Sequence, residues 1–424
     1  MSTHHRKLGF NGLWKDSDFM KFWSGETLSL FGVQITSLAI PLVAAETLQV
    51  TPAQMGLLNA AQYLPFLLIT LFAGVWIDRN RRRPVLIAAN AGRALLLALI
   101  PLSFLGGWLQ VEHLYLIVFL TGVLTVFFDL AYQSYLPSLV TRSHVVEGNS
   151  KLQLSASMAQ VSGPGLSGAL ISIVTAPLVI GINAATYLIS AIFMGTIQRP
   201  EPIPPPPEAR ASVLDDIREG IGIVFRNPYL RALAGEAATY NLFSQVSWAV
   251  LILYLTRSLH IGPALLGIIL SVSSIGALLG SLAAGRIHAR LRTGSVLLGS
   301  ILLACIAPLL VPLASGPLPL SVPLLILSFF LSGFGVVISN IHIISLRQTV
   351  TPEHLLGRMN ASYRFVVTGT APIGALLGGW LGTGIGLRLT LAVGAAGTLA
   401  AVLWIFFSPV PRLDGLPDGI EGRP

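Results

Sequence analysis

Charged residues are scarce in this chain. Asp, Glu, Lys and Arg make up 10% of its 424 residues, against about 25% in an average soluble domain. Hydrophobic residues make up 53%. A soluble fold could not bury so much apolar surface, so lipid must be the solvent for much of the chain. These values exclude a disordered chain, a nucleic-acid binder and an ordinary cytosolic enzyme.

Cysteine is also nearly absent, since Cys305 is the only one. A single cysteine excludes an internal disulfide, and without a Cys/His cluster a structural zinc site or an iron–sulfur cluster is not expected. The chain has no Gly-x-x-x-x-Gly-Lys-Ser/Thr motif, which argues against an ATPase. No constellation indicates a nucleophile or a metal site, so we expect neither an enzyme nor a cofactor. Residues 1–18 are polar, so the first apolar segment is interpreted as uncleaved.

What the chain does have is a regular series of apolar segments. A membrane-spanning helix needs about 20 apolar residues, and twelve segments satisfy this in the order six, a linker, six. We number them span 1 to span 12. Their predicted bounds are Asp18–Leu48, Gln54–Ile77, Pro84–Gly106, Leu114–Leu139, Leu152–Thr175, Leu178–Ile197, Leu230–Leu255, Pro263–Ile287, Ser295–Leu313, Leu320–Leu346, Met359–Gly384 and Leu387–Phe407.

The pattern predicts an all-α integral membrane protein of two six-helix bundles. The predicted organisation is a tail, a first bundle, a linker, a second bundle and a second tail, at residues 1–17, 18–197, 198–228, 229–408 and 409–424. The linker opens with a Pro-rich run at 199–207, which cannot be helical. An amphipathic helix capped by Ser212 is expected next, and it lies either on the membrane surface or in solvent as a linker helix.

Lys and Arg are distributed very unevenly between the two predicted sides. With both termini cytoplasmic, only Arg257 and Arg388 fall outside, whereas more than twenty cationic residues fall in cytoplasmic segments. Cytoplasmic loops carry this excess in membrane proteins. The net charge of +8 therefore indicates topology rather than a nucleic-acid partner.

The two halves resemble each other at an offset of about 210 residues. Glu26 matches Glu236, Gly74 matches Gly285 and Pro164 matches Pro372, each within a short similar segment. Several matches in one order at a nearly constant offset indicate two homologous six-helix halves, as in many transporters.

These residues resemble the major facilitator superfamily. The segment from Gly74 to Arg83, Gly-Val-Trp-Ile-Asp-Arg-Asn-Arg-Arg-Arg, is similar to the superfamily's loop motif Gly-x-x-x-Asp-Arg-x-Gly-Arg-Arg, with Arg81 in place of the second Gly. Span 5 carries Gly163-Pro164-Gly165-x-x-Gly168, which is similar to a motif of antiporting exporters. Segments at 127–137, 216–220 and 357–361 resemble the drug:proton antiporter branch that includes macrolide-efflux and siderophore-export proteins. The resemblance covers nearly the whole chain.

The resemblance implies a conformational latch at the loop motif. In the family this loop holds the two halves in the outward-facing state. Asp78 would bridge to span 11, and Arg82 would pair with Asp129 in span 4. The alternative is that the Arg run only anchors the loop on the positive side. The predicted latch residues are Gly74, Asp78, Arg79, Arg82 and Asp129. Ala289 stands where Asp78 would recur, so the latch is expected to be asymmetric.

Charged residues inside spans are costly in lipid and are functional candidates by default. Glu26 and Glu236 occupy equivalent positions in the two halves, and we hypothesise that they are sites for a proton or a cationic substrate, because a carboxylate in a dry cavity can carry a proton. The alternative is a structural ion pair, Glu236 with Arg364 or Asp129 with Arg93. His342 is either a proton relay or a hydrogen-bonded core histidine. The full candidate set is Glu26, Glu236, Asp129, Arg93, Arg364 and His342.

Two further sets complete the prediction. The residues Gly163, Pro164, Gly165 and Gly168 of span 5 form either a kinked hinge between the halves or ordinary close helix packing. Neutral polar and aromatic residues are candidates for the substrate surface. They are Gln34, Gln62, Tyr63, Tyr132, Asn241 and Gln245.

The predicted function is proton-coupled export of a hydrophobic or amphipathic molecule from the bacterial cytoplasm by alternating access in the cytoplasmic membrane. The expected partners are the lipid bilayer, the small-molecule substrate and protons, with no nucleic acid, and the protein is expected to be a monomer. One alternative is an importer or a lipid or lysolipid carrier of the same fold. Another is a membrane receptor or scaffold that transports nothing.

Overall fold

The computed structural model describes residues 12–201 and 213–415. Throughout these residues the chain is helical and contains no β-strand. The predicted Pro-rich run beyond Glu201, the Ser212 cap and the outer parts of both tails lie outside the described residues. The side chains of Leu71, Val75, Asp78, Arg142, residues 213–218 and His354 are also outside the description.

The first half contains six long helices. They are α1 (Ser17–Leu42), α2 (Pro52–Asp78), α3 (Arg82–Leu105), α4 (Val111–Leu139), α5 (Val145–Ile173) and α6 (Ala176–Gly195). A shorter helix, α7 (Val213–Arg226), follows the linker. The second half contains α8 (Pro228–Leu253), α9 (Pro263–His288), α10 (Thr293–Ile306), α11 (Leu310–Leu313), α12 (Leu318–Thr349), α13 (Leu356–Gly384) and α14 (Leu387–Phe406).

Ten helical segments in the described part of the chain are long and apolar enough to cross a membrane. They are α1, α3, α4, α6, α8, α9, α10 with α11, α12, α13 and α14. Helices α2 and α5 are also long, at 27 and 29 residues. Predicted span 9 is broken by a 3₁₀ turn at Ala307–Leu309, because Pro308 cannot donate the α-helical hydrogen bond.

Local sequence explains where the helices begin. Asp16 caps α1 by accepting hydrogen bonds from the backbone of Asp18 and Phe19, and Asn227 caps α8 in the same way. Thr51 forms a capping box at the start of α2. These side chains satisfy backbone N–H groups that a helix leaves unpaired at its first turn.

The internal repeat extends to the backbone. Helix α1 ends in a π-helical turn at Val43–Thr47, and α8 ends in one at Tyr254–Ser258. The next turn contains Gln49 at φ 51° in the first half and His260 at φ 53° in the second. Positive φ is rare for residues other than glycine, so the shared conformation supports the homology of the two halves.

We call the end of the molecule that carries α7 the linker face and the other end the opposite face. At the opposite face, Arg257 donates a 3.0 Å hydrogen bond to the carbonyl of Ala45. Helices α5 and α9 also approach closely towards the opposite face, where a Cβ built on Gly168 would lie 3.0 Å from Gly267 Cα. Near the linker face, no atom lies within 4 Å of a Cβ built on Gly74 or Gly285. Close glycine contacts between the halves therefore lie towards the opposite face and are absent at Gly74 and Gly285.

Helix α7 packs on the second half of the protein. Glu219 forms an ion pair with Arg358, and a Cβ on Gly220 would lie 2.6 Å from the carbonyl oxygen of Arg358 on α13. Val224 is fully buried in a cluster with Leu230 and other residues of the second half. The described side chains of α7 thus pack against α8 and α13. Its placement on the membrane surface or in solvent stays a prediction.

Candidate functional site: buried carboxylates and two cavities

The first half encloses a cluster of buried charges at Glu26 on α1, Arg93 on α3 and Asp129 on α4. Glu26 is 5% exposed and Arg93 is 2% exposed. The Arg93 guanidinium carbon lies 4.1 Å from the ring centre of Phe128 and 4.2 Å from that of Tyr187. Stacking between two rings stabilises a cation in a buried site.

The charges of this cluster do not touch one another. No pair among Glu26, Arg93 and Asp129 comes within the 4.0 Å of a salt bridge, although all three residues are described and lie within electrostatic range. Arg93 instead donates a short hydrogen bond to Asn90, and Asn90 donates to Ser190 Oγ at 2.9 Å. One Glu26 carboxylate oxygen, Oε2, has no hydrogen-bond partner within the described residues. The alternative of a direct Asp129–Arg93 ion pair is therefore wrong for this structure.

The second half buries Glu236 without a salt-bridge partner among the described residues, although Arg347 lines the same cavity as Glu236 and stacks on Tyr363. Glu236 on α8 is 6% exposed, and Arg364 does not pair with it. Arg364 is exposed on α13 and lies within electrostatic range of Asp129, across the interface between the halves. The expected Glu236–Arg364 pair is therefore absent, because the Arg364 side chain points away from the core of its own half.

Glu236 faces a cavity of about 410 Å³, which we call the Glu236 cavity. At offsets of 211 and 210 residues, Ala304 and Ser339 hold the positions equivalent to Arg93 and Asp129. Both line this cavity. The guanidinium that compensates Glu26 in the first half is thus replaced by open space beside Glu236.

A second cavity of about 370 Å³ adjoins the first, and we call it the serine cavity. It lies between α8, α9 and α12, and Tyr240, Val336 and Asn340 line both cavities. Six serines contribute to its wall. They are Ser244, Ser247, Ser273, Ser274, Ser328 and Ser332. Sequence analysis missed this set, although Ser244 with Ser247 and Ser328 with Ser332 recur at helical spacing.

Only one of the six predicted substrate residues lines these cavities. Asn241 lines the Glu236 cavity and donates to the carbonyl of Val367 at 3.3 Å. Tyr132 stacks on Phe22, with ring centres 5.5 Å apart. The remaining four predicted residues also lie outside both cavities, and they are Gln34, Gln62, Tyr63 and Gln245. Gln34 packs against Gly163, and Gln245 packs against Gly374.

His342 is buried, and its Nδ1 lies 2.8 Å from the carbonyl oxygen of Ile338. A neutral ring in that geometry donates from Nδ1 to the preceding helical turn. The ring of His288, which sequence analysis did not single out, lies 5.3 Å away. This geometry favours the hydrogen-bonded core histidine of the two alternatives.

The loop motif has a different partner from the one expected. Glu201 accepts hydrogen bonds from the backbone N–H groups of Arg82 and Arg83 at 2.6 and 3.0 Å, and Arg82 Nη1 lies 3.9 Å from its carboxylate. The expected Arg82–Asp129 pair is absent. Glu201 pairs with Arg82 instead, at the N-terminus of α3, which is the positive end of the helix dipole. Arg79 is exposed at the end of α2. The Asp78 side chain lies outside the description, so its bridge to α13 stays a prediction.

The Gly-Pro segment of α5 lies at the interface between the halves. Gly163 packs on α1, and Gly165 and Gly168 approach α9, with a Cβ on Gly165 3.3 Å from Ser271 Oγ. Pro164 lies inside one continuous helix, and its carbonyl approaches Gly267. Close packing is thus a role of these residues, and bending of α5 at Pro164 stays a prediction.

The whole chain was compared with known proteins. A family model described as "Transmembrane secretion effector" matches residues 12–418. The multidrug efflux pump Tap of Mycolicibacterium fortuitum is 27% identical over 361 residues, which cover 83% of this chain and 86% of Tap. The enterobactin exporter EntS of Escherichia coli O1:K1 is 26% identical over 369 residues, which cover 85% and 83%.

Among solved structures, the fold matches a bacterial homologue of the human lysosomal transporter Spinster in an inward-facing, unoccupied conformation. The TM-score is 0.67 at 14% identity, over 94% of this chain and 97% of the homologue. This match concerns the fold alone. With the family match over nearly its full length, the chain belongs to the transmembrane secretion effector family of major facilitator superfamily transporters.

Proposed function

We propose that this protein is a proton-coupled antiporter that exports hydrophobic or amphipathic small molecules. The observation that carries the proposal is the pair of buried carboxylates, Glu26 and Glu236, at equivalent positions of the two halves. Neither has a salt-bridge partner in the described part of the chain. A buried carboxylate without a direct cation favours its neutral form, and it can release the proton when access to water changes.

The proposal includes the membrane arrangement. Helices α2 and α5 are long enough to cross a bilayer, and with the ten apolar helical segments they make twelve spans. An even number of spans places both termini on one side, and the excess of Lys and Arg assigns that side to the cytoplasm. The linker face is then cytoplasmic. The protein would act as a monomer in the bacterial cytoplasmic membrane, with lipid, substrate and protons as its partners and no nucleic acid.

Export is favoured over import by the named functions of two relatives. Tap is named a multidrug efflux pump and EntS an enterobactin exporter. Both align with most of this chain at low identity, so the direction of transport carries over only as part of the proposal. Neither name fixes the substrate of this protein.

The experiment measures substrate-induced proton release from everted membrane vesicles that contain the full chain. Respiration acidifies the vesicle interior, and an acridine dye reports the pH gradient as dyes, macrolides and siderophores are added in turn. We expect release with at least one compound, and its loss in Glu26→Gln or Glu236→Gln. The matched control is Glu46→Gln, because Glu46 is an exposed carboxylate at the opposite face. Wild-type release in the double variant Glu26→Gln/Glu236→Gln would falsify the proton role of these residues.

A further inference from the structure

The serine cavity is lined by neutral side chains only. Polar groups from α8, α9 and α12 are combined with three aromatic rings, those of Tyr240, Trp248 and Phe329. Trp248 and Phe329 meet edge to face with their ring centres 6.3 Å apart, and Trp248 is 42% exposed. At about 370 Å³ the cavity has the size of a small-molecule site.

Much of the hydrogen-bonding capacity in this wall is unused. Ser274 and Ser328 donate to backbone carbonyls at 2.9 and 2.8 Å. The hydroxyls of Ser244, Ser273 and Ser332 make no hydrogen bond to any other described residue.

Further unused groups are the Ser247 hydroxyl and the side-chain amides of Gln160 and Asn340. None of them makes a hydrogen bond to another described residue. Hydroxyl and amide groups both donate and accept, so this wall can match hydroxyl and carbonyl groups of a ligand.

We propose that the serine cavity binds a neutral aromatic molecule that carries hydroxyl or amide groups. This inference rests on the proposed transport function and specifies its substrate class. Trp248 and Phe329 contact the ring, and the free serine hydroxyls with Gln160 and Asn340 bind the polar groups. The cavity disfavours ligands that carry a net charge.

The cavity disfavours charged ligands because of the free-energy cost of desolvating a charge. A carboxylate or an ammonium group that leaves water needs an opposite charge nearby, and the lining of this cavity supplies none. Glu236 lies in the adjoining cavity, beyond the shared Tyr240 and Asn340. Ligand and proton therefore occupy neighbouring places rather than the same place, which leaves Glu236 free to titrate while the ligand is bound.

The test uses three probes with one aromatic core. Chloramphenicol is neutral and carries two hydroxyls and an amide, its deacylated amine base is a cation when protonated, and its hemisuccinate is an anion. Binding to the purified full chain in detergent is measured by equilibrium dialysis. We expect chloramphenicol to bind at least tenfold more tightly than either charged probe. Equal or tighter binding of the amine base or the hemisuccinate overturns the inference.

A charge placed in the wall gives a second, independent test. Ser332→Asp is expected to lower chloramphenicol affinity at least tenfold and to reverse the preference in favour of the amine base. Ser345→Asp is the matched control, because Ser345 lies on the same helix outside both cavities. An unchanged order of the three probes in Ser332→Asp contradicts the site. Circular dichroism and size-exclusion profiles identify variants that have not folded, and the wild-type order of the probes decides in that case.

The two experiments distinguish failure of the cavity assignment from failure of the transport proposal. Chloramphenicol selectivity without proton release for any compound supports the cavity and contradicts proton-coupled export. Proton release with charged compounds, combined with no preference for the neutral probe, supports the transport proposal and contradicts the cavity assignment.

Discussion

At the scale of single residues, Arg93 and Glu26 show how the first half holds charge away from water. The guanidinium is bound by two aromatic rings and by Asn90, whereas the carboxylate keeps one oxygen without a partner among the described residues. The aromatic rings and Asn90 therefore hold the cation in place without a salt bridge to the carboxylate.

Replacement of Arg93 by Met should destabilise the protein by about 2 kcal/mol, because it removes the stacked cation and leaves two acidic groups without compensation. Thermal unfolding in detergent measures the change. The double variant Arg93→Met/Glu26→Gln should recover part of the loss, since Gln cannot ionise in a site that lacks the guanidinium. Arg286→Met, at an exposed position, serves as the control and should change little. A double variant less stable than Arg93→Met alone contradicts the electrostatic link.

Sequence reasoning identified Glu26 and Glu236 because a charge inside an apolar run is expensive and therefore conspicuous. It did not identify the serine cavity, since a serine in a membrane helix costs little and usually bonds its own backbone. Ser345 and Ser339 illustrate that ordinary role by donating to the carbonyls of Ile341 and Val336, and sequence gives no sign that Ser244 and Ser332 differ from them. Only the arrangement of the helices separates the two groups.

At the scale of helices and loops, hydrophobic runs predicted where most segments lie but not how their ends are joined. Glu201 lies within the Pro-rich run at 199–207 and has no helical pattern around it, yet it caps α3 and its side chain is 4% exposed. Its partner N–H groups belong to residues more than 100 positions away, so local sequence rules could not find the contact. The same limit explains the mistaken Arg82–Asp129 pair.

Glu201→Gln should reduce the free energy of unfolding by about 1 kcal/mol, as expected for loss of a charged group at a helix N-terminus. Denaturant unfolding in detergent provides the measurement. Glu46→Gln is again a suitable control, because Glu46 is exposed and lies at the opposite face, whereas Glu201 binds the N-terminus of α3. If both variants unfold at the same denaturant concentration as the wild type, the cap contributes nothing measurable.

At the scale of the whole molecule, close glycine contacts hold the halves together towards the opposite face. A Cβ on Gly56 would lie 2.7 Å from Gly379 Cα, and the contact of Gly168 with Gly267 repeats this arrangement on the other pair of helices. Larger side chains at these positions should force the halves apart there, because the neighbouring atoms are backbone and cannot move aside independently.

Gly168→Val is expected to lengthen the distance between spin labels placed at Gln49→Cys and His260→Cys in a Cys305→Ser background. These label sites are the equivalent positive-φ turns of the two halves. Pulsed electron resonance measures the distance in detergent. Gly285→Val is the control, because a Cβ there has no neighbour within 4 Å. Identical distance distributions in both variants and the parent contradict the role of Gly168 in closure.

The contrast between Arg93 and the space beside Glu236 has a further consequence in evolutionary terms. If the two halves arose by duplication of one six-helix unit, an ancestral pair of such units shared one set of side chains. The divergence at Arg93 and Ala304 then separated two tasks, a fixed internal charge in one copy and an open recess in the other. A protein assembled from two copies of the first half would inherit the guanidinium twice and have no recess. Selection would then have preserved the difference between the two copies rather than their symmetry.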